Sequence, residues 1–73
     1  MNTPYESLAN AIILRAVEDY RKALRVLSGH PYHRDALQKK RSILRFFRSD
    51  WFRVLTNLDP ELLIKRLGKE AAA

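Results

Sequence analysis

Residues 45–55 read RFFRSDWFRVL and contain four of the seven aromatic residues of the chain, interleaved with three arginines. The four are Phe46, Phe47, Trp51 and Phe52. Aromatic side chains at this density either fill a core or form a surface on which a nucleic-acid base or a partner stacks. The helical phase of this stretch decides which of them point inward, and it therefore decides the fold.

The segment leading into this stretch has the apolar period of an α-helix that begins near Arg34-Asp35. Its apolar stripe consists of Ala36, Leu37, Ile43, Leu44 and Phe47. Continued at about 100° per residue, the stripe runs on through Trp51, Val54, Leu55 and Leu58.

Ser49-Asp50 interrupts this pattern, because a serine followed by an acid is also a good helix start. Residues 34–57 therefore form either one helix or two helices with a kink at Ser49. In both cases we expect Phe47 and Trp51, four residues apart, to point inward. Phe46 and Phe52 fall off the stripe on opposite sides, beside arginines.

The first helix has a strong start signal in Thr3-Pro4-Tyr5-Glu6: a capping hydroxyl, a proline in the first helical position and a glutamate three residues after the cap. Its predicted end is Ser28-Gly29, with Gly29 in the left-handed conformation that often closes a helix. Apolar residues recur between these ends at steps of three and four: Tyr5, Ala9, Ile12, Ile13, Ala16, Tyr20, Ala23, Leu24 and Leu27.

The connection His30-Pro31-Tyr32-His33 is short, so the second helix should turn back antiparallel to the first. Its two histidines lack the third and fourth donors of a metal site, and we expect them to pack or to cap a helix.

A third start signal, Asp59-Pro60-Glu61, precedes a short apolar helix that should end at Gly68. Residues 69–73 have no apolar side chain larger than alanine to bury and should fray.

These elements predict an all-α protein, a small helical bundle in a single domain over residues 1–73. Two long antiparallel helices cover about 4–28 and 34–48, the second continuing or kinking through 49–57, and a short C-terminal helix covers about 60–67. The predicted core comprises Ile12, Tyr20, Leu24, Leu44, Phe47, Trp51, Leu55 and Leu63.

The net charge of +6 is concentrated in the middle of the 73-residue chain, where residues 34–53 carry seven bases and two acids. Such a surplus attracts phosphate backbones or acidic protein surfaces, and it also favours solubility. There is no cysteine, and the chain shows neither a long apolar run nor a basic and apolar leader. We therefore expect a soluble, cytoplasmic protein with no membrane partner.

Catalysis is not expected. The chain has no glycine-rich phosphate loop and no nucleophile beside a histidine with an orienting carboxylate. We accordingly predict no catalytic residue, no cofactor and no metal.

Binding is the better prediction. Arg41, Arg45 and Arg48 fall on one helical line at i, i+4 and i+7, and Phe52 continues that line. The predicted nucleic-acid-binding or partner-binding residues are Arg41, Arg45, Arg48, Phe52, Arg53, Phe46, Lys39 and Arg34. Arginines beside an exposed aromatic suit phosphate contact with base stacking, and they equally suit a protein interface.

A helix-turn-helix is disfavoured, because the last helix is too apolar to contact base edges.

The stretch from Ala11 to Leu67 resembles a family of small, uncharacterised proteins of prophages and conjugative elements of Firmicutes-type bacteria. The resemblance is carried by AVEDYRKAL (16–24) and RFFRSDWFRVLTNLDPELLIKRL (45–67). This chain has Asp59-Pro60-Glu61 where the family usually has Asp-Gly-Glu. The resemblance implies a setting, an accessory protein of a mobile element, and no site residues.

Two functions follow as hypotheses. The first is a non-enzymatic accessory protein that binds nucleic acid through a basic helix face. The second is a protein-binding inhibitor or adaptor, such as an anti-defence protein acting on an acidic protein or ribonucleoprotein surface of a host nuclease complex. Homodimerisation is compatible with both.

Overall fold

The computed structural model describes residues 3–72, which form four helices, α1 (Pro4–Gly29), α2 (Arg34–Phe47), α3 (Asp50–Leu55) and α4 (Pro60–Ala72). No strand occurs in that range, and the predicted all-α bundle is confirmed. α1 has 26 residues and should be about 39 Å long at 1.5 Å per residue. The longest dimension of the molecule is 41 Å, so α1 spans it, and the other three helices each pack against α1.

α1 begins at the predicted residue. The Thr3 hydroxyl accepts a hydrogen bond from the Glu6 N–H at 3.1 Å, and Pro4 occupies the first turn. The helix ends one residue later than predicted, where the His30 N–H donates to the Val26 carbonyl at 2.8 Å. Gly29 has no positive φ, so the predicted left-handed glycine is wrong. His30 leaves the helix instead, with φ −136° and ψ 77°.

α2 begins with a histidine cap. The His33 side chain accepts the Ala36 N–H on Nδ1 at 3.1 Å, while the His33 N–H donates to the His30 carbonyl at 3.0 Å. This bond closes a tight turn, and α2 returns antiparallel along α1.

Ser49 separates α2 from α3. Its backbone is extended (φ −83°, ψ 159°), and its hydroxyl accepts the Phe52 N–H at 3.2 Å. The same hydroxyl donates to the Phe46 carbonyl at 2.6 Å. One side chain therefore closes α2 and caps α3, and residues 34–57 form two helices.

The break at Ser49 resets the helical phase, and it overturns the predicted inward positions of Trp51, from the core list, and of Val54, from the apolar stripe. Phe52 is completely buried, whereas Trp51 is 55% exposed and Val54 is 66% exposed. A single helix would have carried the α2 stripe onto Trp51. In a helix that starts afresh at a Ser49 cap, Phe52 and Leu55 form the inner face. Leu58, also predicted to be in the stripe, is exposed in the connection after α3.

The core is built around aromatic rings. Phe47 is completely buried and lies edge-on to Tyr20, with ring centroids 5.8 Å apart, and edge-on to Phe52 at 5.6 Å. Aliphatic side chains from three helices complete the buried cluster: Ile13, Val17, Ile43 and Leu67. Of the predicted core, Leu24, Leu44, Leu55 and Leu63 are half-buried against this cluster.

Two residues of α1 that were predicted to point inward lie outside the buried cluster. Ile12 is half-buried at the edge of a groove between α1 and α2. Tyr5 is 62% exposed.

α4 is longer than predicted. The Asp59 carboxylate accepts the Glu61 N–H at 3.0 Å at its start. The helix then continues through Gly68 to Ala72, because good helix formers follow the glycine and the Glu70 carboxylate binds Arg21 at 3.0 Å. Residues 69–72, which belong to the predicted frayed tail, are helical in α4, and Ala73 lies outside the described residues.

Candidate nucleic-acid interface

The outer face of α2 carries three exposed arginines, Arg34, Arg41 and Arg45. At about 100° per residue they lie on the side of the helix opposite the buried Ile43 and Phe47. None of the three forms an ion pair with a carboxylate within residues 3–72. We call these three residues the arginine face, a positive surface without local compensation.

Arg48, the third arginine of the predicted line, is bound to Glu61 on α4. Its Nε donates to Glu61 Oε2 at 2.9 Å and its Nη2 donates to Oε1 at 3.1 Å. The hydrogen bonds and charge of this pair raise the pKa of Arg48 and lower the pKa of the Glu61 carboxyl. Because this two-bond pair joins the end of α2 to the start of α4, Arg48 is less available to a phosphate than Arg41 and Arg45.

The predicted role of Phe52 in binding is wrong, because the side chain has no exposed surface. Phe46 is half-buried. Its ring lies edge-to-face against Phe52 at 5.7 Å and against Trp51 at 5.6 Å. Phe46 thus supports the aromatic cluster and exposes only part of its ring.

Lys39 and Arg53 do not belong to the arginine face. Lys39 lies on the flank of α2 that borders α1, where its Nζ is 3.9 Å from Asp19 Oδ2. The Arg15 Nε approaches the same oxygen at 3.6 Å. Arg53 is exposed on α3, with no ion pair within the described residues. The predicted binding residues therefore do not form one surface: the exposed ones are divided between the outer face of α2, its flank beside α1, and α3.

Trp51 is the exposed residue that the sequence interpretation missed. It lies at one end of a shallow groove of about 240 Å³ between α1 and α2. The groove is lined by Ile12, Arg15, Ala16, Asp19, Lys39, Ser42, Ile43, Phe46 and Trp51. The prediction kept Trp51 inward even for two helices, whereas the new helix that starts after the Ser49 cap buries Phe52 and turns Trp51 to the flank.

A second groove, of about 260 Å³, lies between α1 and α4. Arg21, which lines this groove, is already bound to Glu70, and Leu24 and Leu67 are among its other lining residues. Within residues 3–72, no three histidine, cysteine or acidic side chains are placed to hold a metal ion. We assign no ligand to this groove.

Tyr20 is the one buried group whose ionisation is perturbed within the described part of the chain. Burial raises the pKa of its hydroxyl, and the nearby positive charge of Arg48 partly offsets the rise. Every buried side-chain nitrogen or oxygen in residues 3–72 has a hydrogen-bond partner. The described helices include none with the length and apolarity needed to cross a membrane.

Comparison with known proteins finds no matching family model, no matching curated protein and no matching solved structure. The resemblance to prophage and conjugative-element proteins therefore stays a prediction.

Proposed function

We propose that this protein is a non-enzymatic accessory protein of a phage or mobile element that acts in the cytoplasm and binds nucleic acid through the outer face of α2. The observation that carries the proposal is the arginine face: Arg34, Arg41 and Arg45 are exposed on one side of one helix, without ion-pair partners in the described chain. The phage or mobile-element setting rests on the sequence resemblance.

Guanidinium groups suit phosphate oxygens, because their planar donors bind two oxygens at once and stay charged at any physiological pH. The arginine face is also supported by a rigid helix packed on α1, so its side chains share a fixed spacing. Contacts of this kind position a nucleic-acid backbone without selecting its sequence. Binding should therefore be strongly salt-dependent.

The test compares fluorescence anisotropy of labelled single-stranded DNA, duplex DNA and RNA at several salt concentrations, starting near 50 mM, where phosphate contacts are strong. The test variant replaces the arginine face by alanine (Arg34→Ala, Arg41→Ala, Arg45→Ala). The control variant replaces three other exposed bases without ion pairs in the described chain, Lys22, Lys65 and Arg66, and so lowers the net charge equally.

We expect the test variant to reduce the slope of log K against log salt by about 2–3, at roughly 0.7–0.9 for each of the three lost phosphate contacts. The control variant should keep a steeper slope and a tighter affinity. Equal losses of slope and affinity in the two variants would show that net charge alone causes the effect, and they would contradict the assignment of binding to α2. Absence of binding to all three nucleic acids near 50 mM salt would end the proposal.

A second candidate function is protein binding as an inhibitor or adaptor, and one observation favours it. Trp51 and Val54, on one flank of α3, expose more than half of their surface, and exposed aromatic and apolar side chains together mark many protein interfaces. Capture of a stoichiometric host protein by the tagged chain after nuclease treatment supports this candidate. Loss of all partners on nuclease treatment supports nucleic-acid binding instead.

A further inference from the structure

We infer that Trp51 is a stacking platform for an unpaired base, and that the groove between α1 and α2 holds a single-stranded nucleic acid. This inference rests on the proposed function and names its ligand class. The observation that supports it is an exposed indole, that of Trp51, which borders a groove with basic residues at its other end. The arginine face lies on the neighbouring surface of the same helix, α2.

The Trp51 indole packs against a neighbouring ring and still exposes more than half of its surface. The Phe46 ring contacts it edge-to-face, at 5.6 Å between centroids and 76° between planes. Trp51 nevertheless keeps 55% of its surface exposed. Because α3 is capped at Ser49 and anchored by the buried Phe52, the helix that carries the indole is in place before any ligand arrives.

The groove that extends from Trp51 offers a surface for a base and charges for a phosphate. Ile12, Ile43 and Phe46 line its apolar part, and the Ser42 hydroxyl is within the groove wall. Towards the other end, Arg15 and Lys39 share the single carboxylate of Asp19 at 3.6 and 3.9 Å. Two bases for one acid leave a positive charge, and ion pairs this long and exposed are easily exchanged for a phosphate.

The charge favours a nucleic acid over a second copy of this chain. Each copy carries a net charge of +6, and the groove itself is net positive, so two copies facing each other here would repel. A polyanion gains from the same charge. A duplex does not fit the inference, because its bases stack on each other and leave no face for the indole.

Trp51 is the only tryptophan of the chain, so its fluorescence reports on the platform directly. The experiment titrates the full chain with an oligothymidylate and with a blunt-ended, two-strand duplex of equal length, following tryptophan quenching and anisotropy together. We expect oligothymidylate to quench the fluorescence in step with binding. The duplex should bind through the arginine face with little quenching.

Substitution then separates the two surfaces. Trp51→Ala should weaken oligothymidylate binding about tenfold, since stacking on one aromatic residue has a large effect per base, and leave duplex binding nearly unchanged. Trp51→Phe should retain most of the affinity. Tyr32→Ala is the matched control, because Tyr32 is a 92% exposed aromatic in the loop between α1 and α2, and it should bind like the unaltered chain.

The outcomes distinguish this inference from the proposed function. Oligothymidylate binding without quenching, unaffected by Trp51→Ala, overturns the platform and leaves the arginine face standing. Failure of every nucleic acid to bind overturns both. Self-association in sedimentation that Trp51→Ala abolishes, with unchanged oligothymidylate binding, assigns the groove to a second copy and also overturns the inference. If Trp51→Ala does not fold, Trp51→Phe and the quenching of the unaltered chain decide.

Discussion

The two sides of the corner between α2 and α3 differ in what their aromatic residues do. On the inner side, Phe47 and Phe52 are completely buried, and their ring centroids are 5.6 Å apart. On the outer side, Trp51 is more than half exposed although it neighbours Phe52 in the chain. Composition does not separate these sides, since both are aromatic and both follow arginines closely.

The separation comes from one backbone event, the extended conformation at Ser49. It ends α2, starts α3 and rotates the next residues relative to the α2 stripe. The inner side then forms part of the core, while Trp51 on the outer side stays exposed.

The largest effect is expected on the inner side. Phe52→Ala should lower the free energy of unfolding by about 3–5 kcal/mol, the usual cost of removing a buried phenylalanine, and a domain this small should then be largely unfolded. Trp51→Ala should cost about 1 kcal/mol or less, as exposed substitutions do. Urea denaturation followed by circular dichroism measures both, and a larger loss for Trp51→Ala would reverse the assignment of the two sides.

The next effect is at the corner itself. Ser49→Ala removes the cap of α3 and the hydrogen bond to the Phe46 carbonyl, and it should cost about 1–2 kcal/mol. Ser28→Ala, at an exposed serine in α1, is the control and should change stability little. Thermal denaturation of the two variants makes the comparison. Equal melting temperatures would mean that Ser49 does not hold the corner.

A smaller effect of opposite sign is expected in α4. Gly68 is helical with a negative φ, and a Cβ placed on it meets no atom within 4 Å. Gly68→Ala should therefore stabilise the protein by about 0.5–1 kcal/mol through helix propensity. Gly29→Ala, at the last residue of α1, should gain less. A destabilised Gly68→Ala protein would mean that α4 ends near Gly68 and that its last turn is not formed.

The smallest effect is a pH dependence on the exposed surface. Arg48 lowers the pKa of Glu61 in the folded chain, so the pair stabilises the fold above the ordinary glutamate pKa of about 4.3. That contribution disappears as the pH falls through the lowered folded pKa. Glu61→Gln should flatten the acid side of the stability profile, measured by urea denaturation at stepped pH. Glu18→Gln, at an exposed glutamate outside the described ion pairs, should leave the profile unchanged.

Local signals in the sequence predicted much of the fold. Thr3-Pro4 and Asp59-Pro60 start α1 and α4 where expected, because a cap followed by proline acts within one turn. Gly68 was misjudged because the ion pair between Arg21 and Glu70, 49 residues apart, supports the last turn of α4 from outside the local sequence.

The candidate site was less predictable for a related reason. Arg41 and Arg45 lie within one uninterrupted helix, so periodicity placed them correctly on its outer face. Phe52 and Trp51 lie beyond the break at Ser49, where the phase depends on whether a serine caps or continues a helix. Either conformation is locally acceptable for Ser-Asp, and burial of the Phe52 ring favours the cap.

Acrylamide quenching of the single tryptophan in the folded, unliganded chain tests directly whether the break at Ser49 turns Trp51 outward. We predict a quenching constant of the same order as that of the urea-unfolded chain. A quenching constant several-fold smaller, rising only as the chain unfolds, would place Trp51 in the core and would mean that the break does not turn it outward.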